Sequence, residues 1–409
     1  VRLWRDLAGR PLLRVLAPVA AVAAVAFVPY LTVRQVVPAA RAPAMFVYDL
    51  SYYHRAAQRP AAALYADPEF VYPPPSRALF APLGTASLPV ALGGWLALNA
   101  ALLAACAWGA VRLWERERGA VLAPGVRAAL VAVVLGSGPA FQTLKYGQVN
   151  SLVLLAGLAF LWGLARDRPV RAVVALGAGA WLKLYPALLL PLAFARPTAR
   201  RAAWGTALVG VGLPAALLPW LPADLYVTFF GERLPHWSGL TSQGVLNGSL
   251  AGVLTRLTLP PDAALRALDV PTPPAVRLAV TVAGAALVGA TWLGWARGRL
   301  STTRAGVLLL ALVPVVSPLG WEHAYVLALP LLVAVLAEAP ARGHGVGRAA
   351  VVVAAVALCL PRPPARVLAV LAETMPRGIV DLLGARMLLA VVVLGTALIA
   401  TSLSRRAEA

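Results

Sequence analysis

The 409-residue chain is 60% hydrophobic and only 13% charged, with a formal net charge of +20 and a mean hydropathy of +0.78. A soluble domain carries about 25% charge, so a chain made of two or three water-soluble domains is excluded. A nucleic-acid reader is excluded as well: the arginines sit in short loops between apolar runs, where anionic lipid headgroups account for them.

In chain order, Arg2, Arg5, Arg10 and Arg14 precede an apolar run that ends near Val33. A cleaved signal has an apolar stretch of only about 7–15 residues, so this segment is expected to stay as an anchor. Runs at 12–33, 86–111, 149–165, 203–221, 276–297, 321–338 and 383–403 are long enough to span a bilayer, and shorter ones lie at 126–141, 304–317 and 347–361. The stretch 170–196 reads as one span, or as two short helices meeting at Leu182-Lys183-Leu184-Tyr185-Pro186. Charge placement decides between them. Two helices give about twelve spans with both termini inside, about 21 Lys/Arg inside and about 15 outside, which fits cytoplasmic loops enriched in basic residues. The expected fold is an all-α polytopic integral membrane protein, one membrane domain over 1–409, with large outer loops at 34–85 and 222–275. Helices of about 13 residues reach only ~20 Å, so Lys183 is expected below the outer surface, beside a polar cavity. Cys106 and Cys359 lie far apart in apolar runs and suggest neither a disulfide nor zinc.

Six polar clusters fall on the predicted outer face. Val47-Tyr48-Asp49-Leu50-Ser51-Tyr52-Tyr53-His54-Arg55 looks like a short amphipathic helix with Asp49 and Tyr53 one turn apart; interfacial tyrosines explain part of it, a carboxylate this near the membrane less easily. Tyr72-Pro73-Pro74-Pro75 and Arg77 form a stiff extended path, a structural feature that could also hold Tyr72 and Arg77 over a cavity. Lys145-Tyr146-Gly147-Gln148-Val149-Asn150 stands at a helix entrance. Gln148 and Asn150 there suit helix capping, while a lysine with two amides suits sugar hydroxyls or a phosphate. Lys183, next to Tyr185, is one of two lysines against 34 arginines, too scarce for surface decoration. Gln243 and Asn247 share a face if their segment is helical, which fits a membrane-edge helix. Last, Ser317-Pro318-Leu319-Gly320-Trp321-Glu322-His323 sets a carboxylate and an imidazole in a helix break.

With these residues in view the chain resembles glycosyltransferase family 87, membrane enzymes of the C-type fold that include polyprenol-phosphate-mannose-dependent mannosyltransferases and related arabinofuranosyltransferases. The resemblance rests on Asp49-Leu50-Ser51-Tyr52-Tyr53, Tyr72-Pro73-Pro74, Gly147-Gln148-Val149-Asn150, Leu182-Lys183-Leu184-Tyr185-Pro186, Asn247-Gly248-Ser249 and Ser317-Pro318-Leu319-Gly320-Trp321-Glu322-His323. Family members often carry two histidines after the tryptophan, whereas Ala324 follows His323 here. The resemblance implies transfer of a sugar, mannose first and arabinofuranose as the rival, from a polyprenyl-phosphate donor to a glycolipid or glycan hydroxyl. It implies the outer face of a bacterial plasma membrane. Asp49 would be the general base of an inverting displacement and His323 a second catalytic group. Lys183, Arg77, Lys145, Gln148, Asn150, Tyr185 and Tyr72 would hold the donor; Tyr53, Gln243, Asn247 and Glu322 would serve the acceptor or a secondary role. No Asp-x-Asp pair is present, and no metal or other cofactor is expected. A multi-pass lipid or sugar transporter is the reading from a different class.

Overall fold

The computed structural model describes residues 10–37, 49–194, 199–259, 269–338, 346–360, 370 and 376–407. Arg2, Arg5, Val47 and Tyr48 lie outside the described residues, as do Arg342, in a basic loop expected inside, and most of 362–382, a shorter stretch expected outside the membrane. The described chain is mostly helical. Among the described residues, four helices are long and apolar enough to cross a membrane, Leu12–Arg34, Leu88–Arg118, Pro274–Ala296 and Gly378–Leu403, and a fifth span arises if Pro124–Leu135 and Gly138–Tyr146, bent by 48°, count as one. Shorter apolar helices cover Asn150–Ala165, Pro169–Ala180, Tyr185–Phe194, Thr302–Val316 and Ala349–Cys359. The expected number of about twelve is not confirmed. Two of the expected long spans are irregular: 203–221 stays helical to Leu217 but passes through a π-helical turn at Leu208–Gly212, and 321–338 starts as a 3-10 stretch, Glu322–Ala328, before Leu329–Glu338.

The chain forms two compact units. One comprises Val25–Cys106 and Thr143–Trp237. Its core is aromatic. Tyr53 stacks on Phe80 with ring centroids 4.3 Å apart, and Tyr72, Phe70 and Trp95 meet Phe80 edge-on. Offset and edge-to-face arrangements suit the ring quadrupoles. The extended path expected through the prolines ends early: Pro75 is already helical at φ −58° and ψ −24°, and the Pro73 and Pro74 carbonyls accept from the Ser76 and Arg77 N–H groups as the chain turns into the Ser76–Gly84 helix.

Within this unit the Asn150–Ala165 and Pro169–Ala180 helices form an antiparallel pair, reversed at Arg166-Asp167-Arg168, where Asp167 takes φ 55°. Small residues let the pair close. A Cβ at Gly163 would lie 2.9 Å from Ala172 Cβ, and one at Gly179 would lie 2.6 Å from Ala156 Cβ. Backbone approach through small residues is how apolar helices associate where water supplies no driving force. The start of one helix therefore lies beside the end of the other, which brings Gln148 and Lys183 together. The helix break expected at Lys183 is present: Pro169–Ala180 ends, four residues follow, and a 3-10 turn begins at Tyr185.

The other unit comprises Val1–Ala24, Ala107–Gln142 and Ser238–Ala409. Leu329–Glu338 is its central helix, with every residue from Leu329 to Ala337 buried. Ser301 caps Thr302–Val316, its hydroxyl accepting from Arg304 N at 3.1 Å as such caps do. Arg304 is buried between Glu117 at 3.1 Å and Glu338 at 2.6 Å, so its charge is paired on both sides. A two-stranded antiparallel ribbon, Leu240–Ser242 with Asp269–Pro271, stands in the 222–275 stretch.

A Gly179→Leu substitution should lower stability by about 1–3 kcal/mol by overpacking. Gly210→Leu, at a site where a Cβ meets nothing within 4 Å, should leave it unchanged. Thermal unfolding of the two variants in the same detergent checks the contrast.

Candidate functional site

The first unit gathers Asp49, Gln148, Lys183 and Tyr72. Asp49 opens the Asp49–Gln58 helix, where a carboxylate is favoured by the helix dipole. Gln148 follows Gly147, and Gly147 is a position only glycine fills comfortably. Its φ is +66°, and a Cβ there would lie 2.9 Å from Leu50 Cβ. The Gly147 carbonyl accepts from Trp95 Nε1 at 2.6 Å, fixing the turn against the Leu88–Arg118 helix. Leu50 can then pack close to the turn, and Asp49, its neighbour, comes within reach of Gln148.

Gln148 Nε2 donates to Asp49 Oδ2 at 2.6 Å, and Lys183 Nζ donates to Gln148 Oε1 at 3.1 Å. The capping role open to Gln148 is therefore not taken. Asn150, buried, is the first helical residue rather than the cap, a position held by Val149 without a side-chain bond. Lys183 lies 5.5 Å from the Tyr72 ring centroid and 5.8 Å from that of Tyr185, within cation–π reach. The Tyr72 hydroxyl is 2.6 Å from that of Tyr53, so Tyr53 faces the aromatic core. Burial raises the Asp49 carboxyl above the ordinary carboxylate value, opposed by the Gln148 hydrogen bond and the Lys183 charge. The arrangement offers a carboxylate steered by one amide, with an ammonium on the other side of that amide: a base and an anion-stabilising group side by side.

Two donor-site candidates have other placements. Arg77 donates to the Arg59 carbonyl at 2.7 Å and braces the first loop. That loop is pinned by buried Asp67, which faces Arg55 at 3.4 Å and Arg59 at 3.6 Å. Lys145 sits over its neighbour Tyr146, 5.1 Å from the ring centroid.

The second unit holds Gln243, Asn247, Glu322 and His323. Asn247 is completely buried. Its Nδ2 donates to Thr241 Oγ1 (3.2 Å), the Ser242 carbonyl (3.1 Å) and the Pro318 carbonyl (2.9 Å), and its Oδ1 accepts from Ser249 N (3.2 Å) and Gly320 N (2.8 Å). Asn247 is thus a staple between two loops, in a non-helical segment, and not a side chain displayed on a helix face. Gln243 is buried nearby in sequence, just beyond the Leu240–Ser242 strand. Glu322 is buried and pairs with Arg386 at 3.1 Å; His323, half-buried, follows it into the 3-10 stretch.

Sequence reasoning missed Arg256, Asp381 and Arg386. Arg256 is fully buried, donates to the Gly244 and Asn247 carbonyls at 3.0 and 2.8 Å, and faces Asp381 at 3.7 Å. Asp381 and Arg386 come from the C-terminal helix, Arg377–Ala407, whose 383–403 part was expected only to span. The signal was a pair of charges at the head of an apolar run, a pattern that marks pairing inside a bundle. Among the described residues, no three His, Cys, Asp or Glu side chains gather to hold a metal ion.

The model of glycosyltransferase family 87 matches residues 70–318. A polyprenol-phosphate-mannose-dependent alpha-(1-2)-phosphatidylinositol mannoside mannosyltransferase of Mycobacterium tuberculosis is 31% identical over 284 residues, 65% of this chain and 61% of that protein. A polyprenol-phosphate-mannose-dependent alpha-(1-2)-phosphatidylinositol pentamannoside mannosyltransferase of the same species is 28% identical over 284 residues, 67% of this chain and 59% of that protein. An alpha-(1->3)-arabinofuranosyltransferase, also of that species, is 30% identical over 195 residues, 46% of this chain and 42% of that protein. The matched part of this chain thus spans about 60% of the length of its mannosyltransferase relatives. No solved structure matches.

Asn247→Ala should destabilise the protein by at least ~2 kcal/mol, since it strands the buried Ser249 and Gly320 N–H groups. Unfolding in detergent measures this; an Asn247→Ala protein as stable as wild type, yet weak for acceptor, would return Asn247 to the acceptor site.

Proposed function

The chain belongs to glycosyltransferase family 87, and from that premise we propose that this multi-pass membrane glycosyltransferase moves mannose from a polyprenyl-phosphate donor to a glycolipid hydroxyl. The observation that carries the proposal is the Asp49–Gln148–Lys183 arrangement in a family whose relatives are named for polyprenol-phosphate-mannose. Asp49 takes the proton of the acceptor hydroxyl, whose oxygen attacks the anomeric carbon as the bond to the phosphate oxygen breaks. The electron pair of that bond leaves with the lipid phosphate, which gains a negative charge. Lys183 is the cation suited to stabilise it. Such a leaving group already departs as an anion and needs little proton donation. One base then suffices, which favours direct displacement with inversion; retention would need a nucleophile besides. No metal is assigned to this step.

In the same reading the site faces the extracytoplasmic side of a bacterial plasma membrane, with about twelve helices and both termini cytoplasmic, as the basic loops favour. The 34–85 and 222–275 stretches are the outer loops. His323 stands as a second catalytic candidate, carried by the Ser317–His323 stretch itself. The arabinofuranosyltransferase relative supports a second reading, in which the donor sugar is arabinofuranose.

The test is transfer of radiolabelled mannose from polyprenol-phosphate-mannose to phosphatidylinositol mannosides by the purified chain in lipid. Asp49→Asn should abolish transfer and keep donor binding; a fully active variant sinks the assignment. Because burial raises the Asp49 carboxyl, the carboxylate is present only above that raised value. Activity should therefore fall, as pH drops, at higher pH than an ordinary aspartate would give. Lys183→Ala should weaken donor affinity and rate together, which donor titration reads. Activity should persist in excess chelator, and complete loss there would bring a metal into the mechanism. Label transfer only from an arabinofuranose donor would favour the second reading.

A further inference from the structure

We infer that Gln148 is a positioning residue whose carboxamide couples Lys183 to Asp49, aiming the base and making its readiness depend on the cation. The inference rests on the function proposed above and assigns Gln148 a part other than holding donor. The geometry is a single directed chain. Lys183 Nζ donates to Gln148 Oε1 at 3.1 Å, and Gln148 Nε2 donates to Asp49 Oδ2 at 2.6 Å. Gln148 is buried, so its amide cannot turn to water for replacement bonds, and both of its ends are spent on the two charged groups.

The physics of the chain runs one way. A cation on the amide oxygen draws electron density from the nitrogen and strengthens its N–H as a donor, the cooperative effect of linked hydrogen bonds. A stronger donor favours the carboxylate over the carboxylic acid. A phosphate that claims the ammonium would slacken the pull on the amide and leave Asp49 a readier proton acceptor. The amide thus adds, to the direct pull of the Lys183 charge on Asp49, a second route by which the donor end and the acceptor end of the site sense each other. The turn that carries it is rigid, with Gly147 held at positive φ and its carbonyl bound by Trp95. No other position along this stretch places an amide between the two charges. Asn150, two residues on, begins the next helix.

Other groups bear on Asp49 and are common to all the variants below. Glu69 acts on it as a like charge, and Tyr52, Tyr53 and Tyr72 face it as phenols. Arg55, nearly two turns along the Asp49–Gln58 helix, is engaged with Asp67.

The experiment measures the acid limb of kcat/KM for mannose transfer from polyprenol-phosphate-mannose, using the full chain in lipid. The set is wild type, Gln148→Leu, Gln148→Glu, Lys183→Ala and the Lys183→Ala, Gln148→Leu double variant. Gln148→Leu removes the donor to the carboxylate and should move the acid limb up by about one pH unit. Gln148→Glu, nearly isosteric and so a safeguard should the leucine variant fold poorly, places a second carboxylate there and should move it further. Lys183→Ala should shift the limb more in the wild-type background than in the Gln148→Leu background, the non-additivity expected of members of one network. A residue that merely fills space would lower rate or yield without moving the limb. With Asp49→Asn inactive, an unmoved acid limb in both Gln148 variants, or an equal Lys183→Ala shift in both backgrounds, overturns the coupling and leaves the proposed function standing. A wild-type chain with no transfer from either donor, or a fully active Asp49→Asn, overturns both.

Discussion

Charge held away from water inside an apolar chain has to be answered by another polar group, because leaving it alone costs several kcal/mol. That constraint organises each unit. Asp49 and Lys183 are joined by one amide. Asp67 holds two arginines of the first loop. Arg304 lies between Glu117 and Glu338, and Glu322 meets Arg386. Only 13% of residues are charged, and the pairing shows where they are used. Most pin a loop or a helix end. The Asp49 group differs in kind, since its cation and its carboxylate are kept out of direct contact by a neutral amide, and burial still holds the carboxyl above its ordinary value against the Lys183 charge.

That separation has chemical value. A direct Asp–Lys ion pair would stabilise the carboxylate and make it a poor base, and it would occupy the ammonium that a phosphate needs. With an amide between them, the carboxylate stays basic through burial and the cation keeps donors to spare, an ammonium having three. The aromatic bed beneath, with Tyr72 under Lys183 and paired to Tyr53, gives the cation a favourable surface without a competing anion.

The second unit solves a different problem. The ribbon and the loops around Asn247 carry backbone groups that no helix satisfies. One asparagine side chain answers four of them and a threonine hydroxyl. Arg256 takes two further carbonyls. Irregular backbone near a membrane is tolerated where protein groups satisfy it, and these two residues supply that satisfaction.

That the chain is helical and membrane-bound was legible in its residues, since apolar runs of spanning length admit little else. It marked Asp49, Gln148 and Lys183 as worth attention, and the helix break at Lys183, because a scarce lysine beside a proline stands out along an apolar string. It misjudged the manner in which several side chains act. Tyr53 read as an interfacial or acceptor-side tyrosine and is packed in the core; Gln148 and Asn150 suited capping and neither caps; Asn247 suited a helix face and is a staple. The C-terminal run read as a span alone, yet it delivers Asp381 and Arg386. Each miss has one cause: a side chain's partners come from residues far away in the chain, 99 positions in the case of Asp49 and Gln148, and periodicity carries no information about them. Those meetings come from packing in three dimensions: small residues such as Gly179 let two helices close, and a left-handed glycine at 147 turned an amide toward a carboxylate.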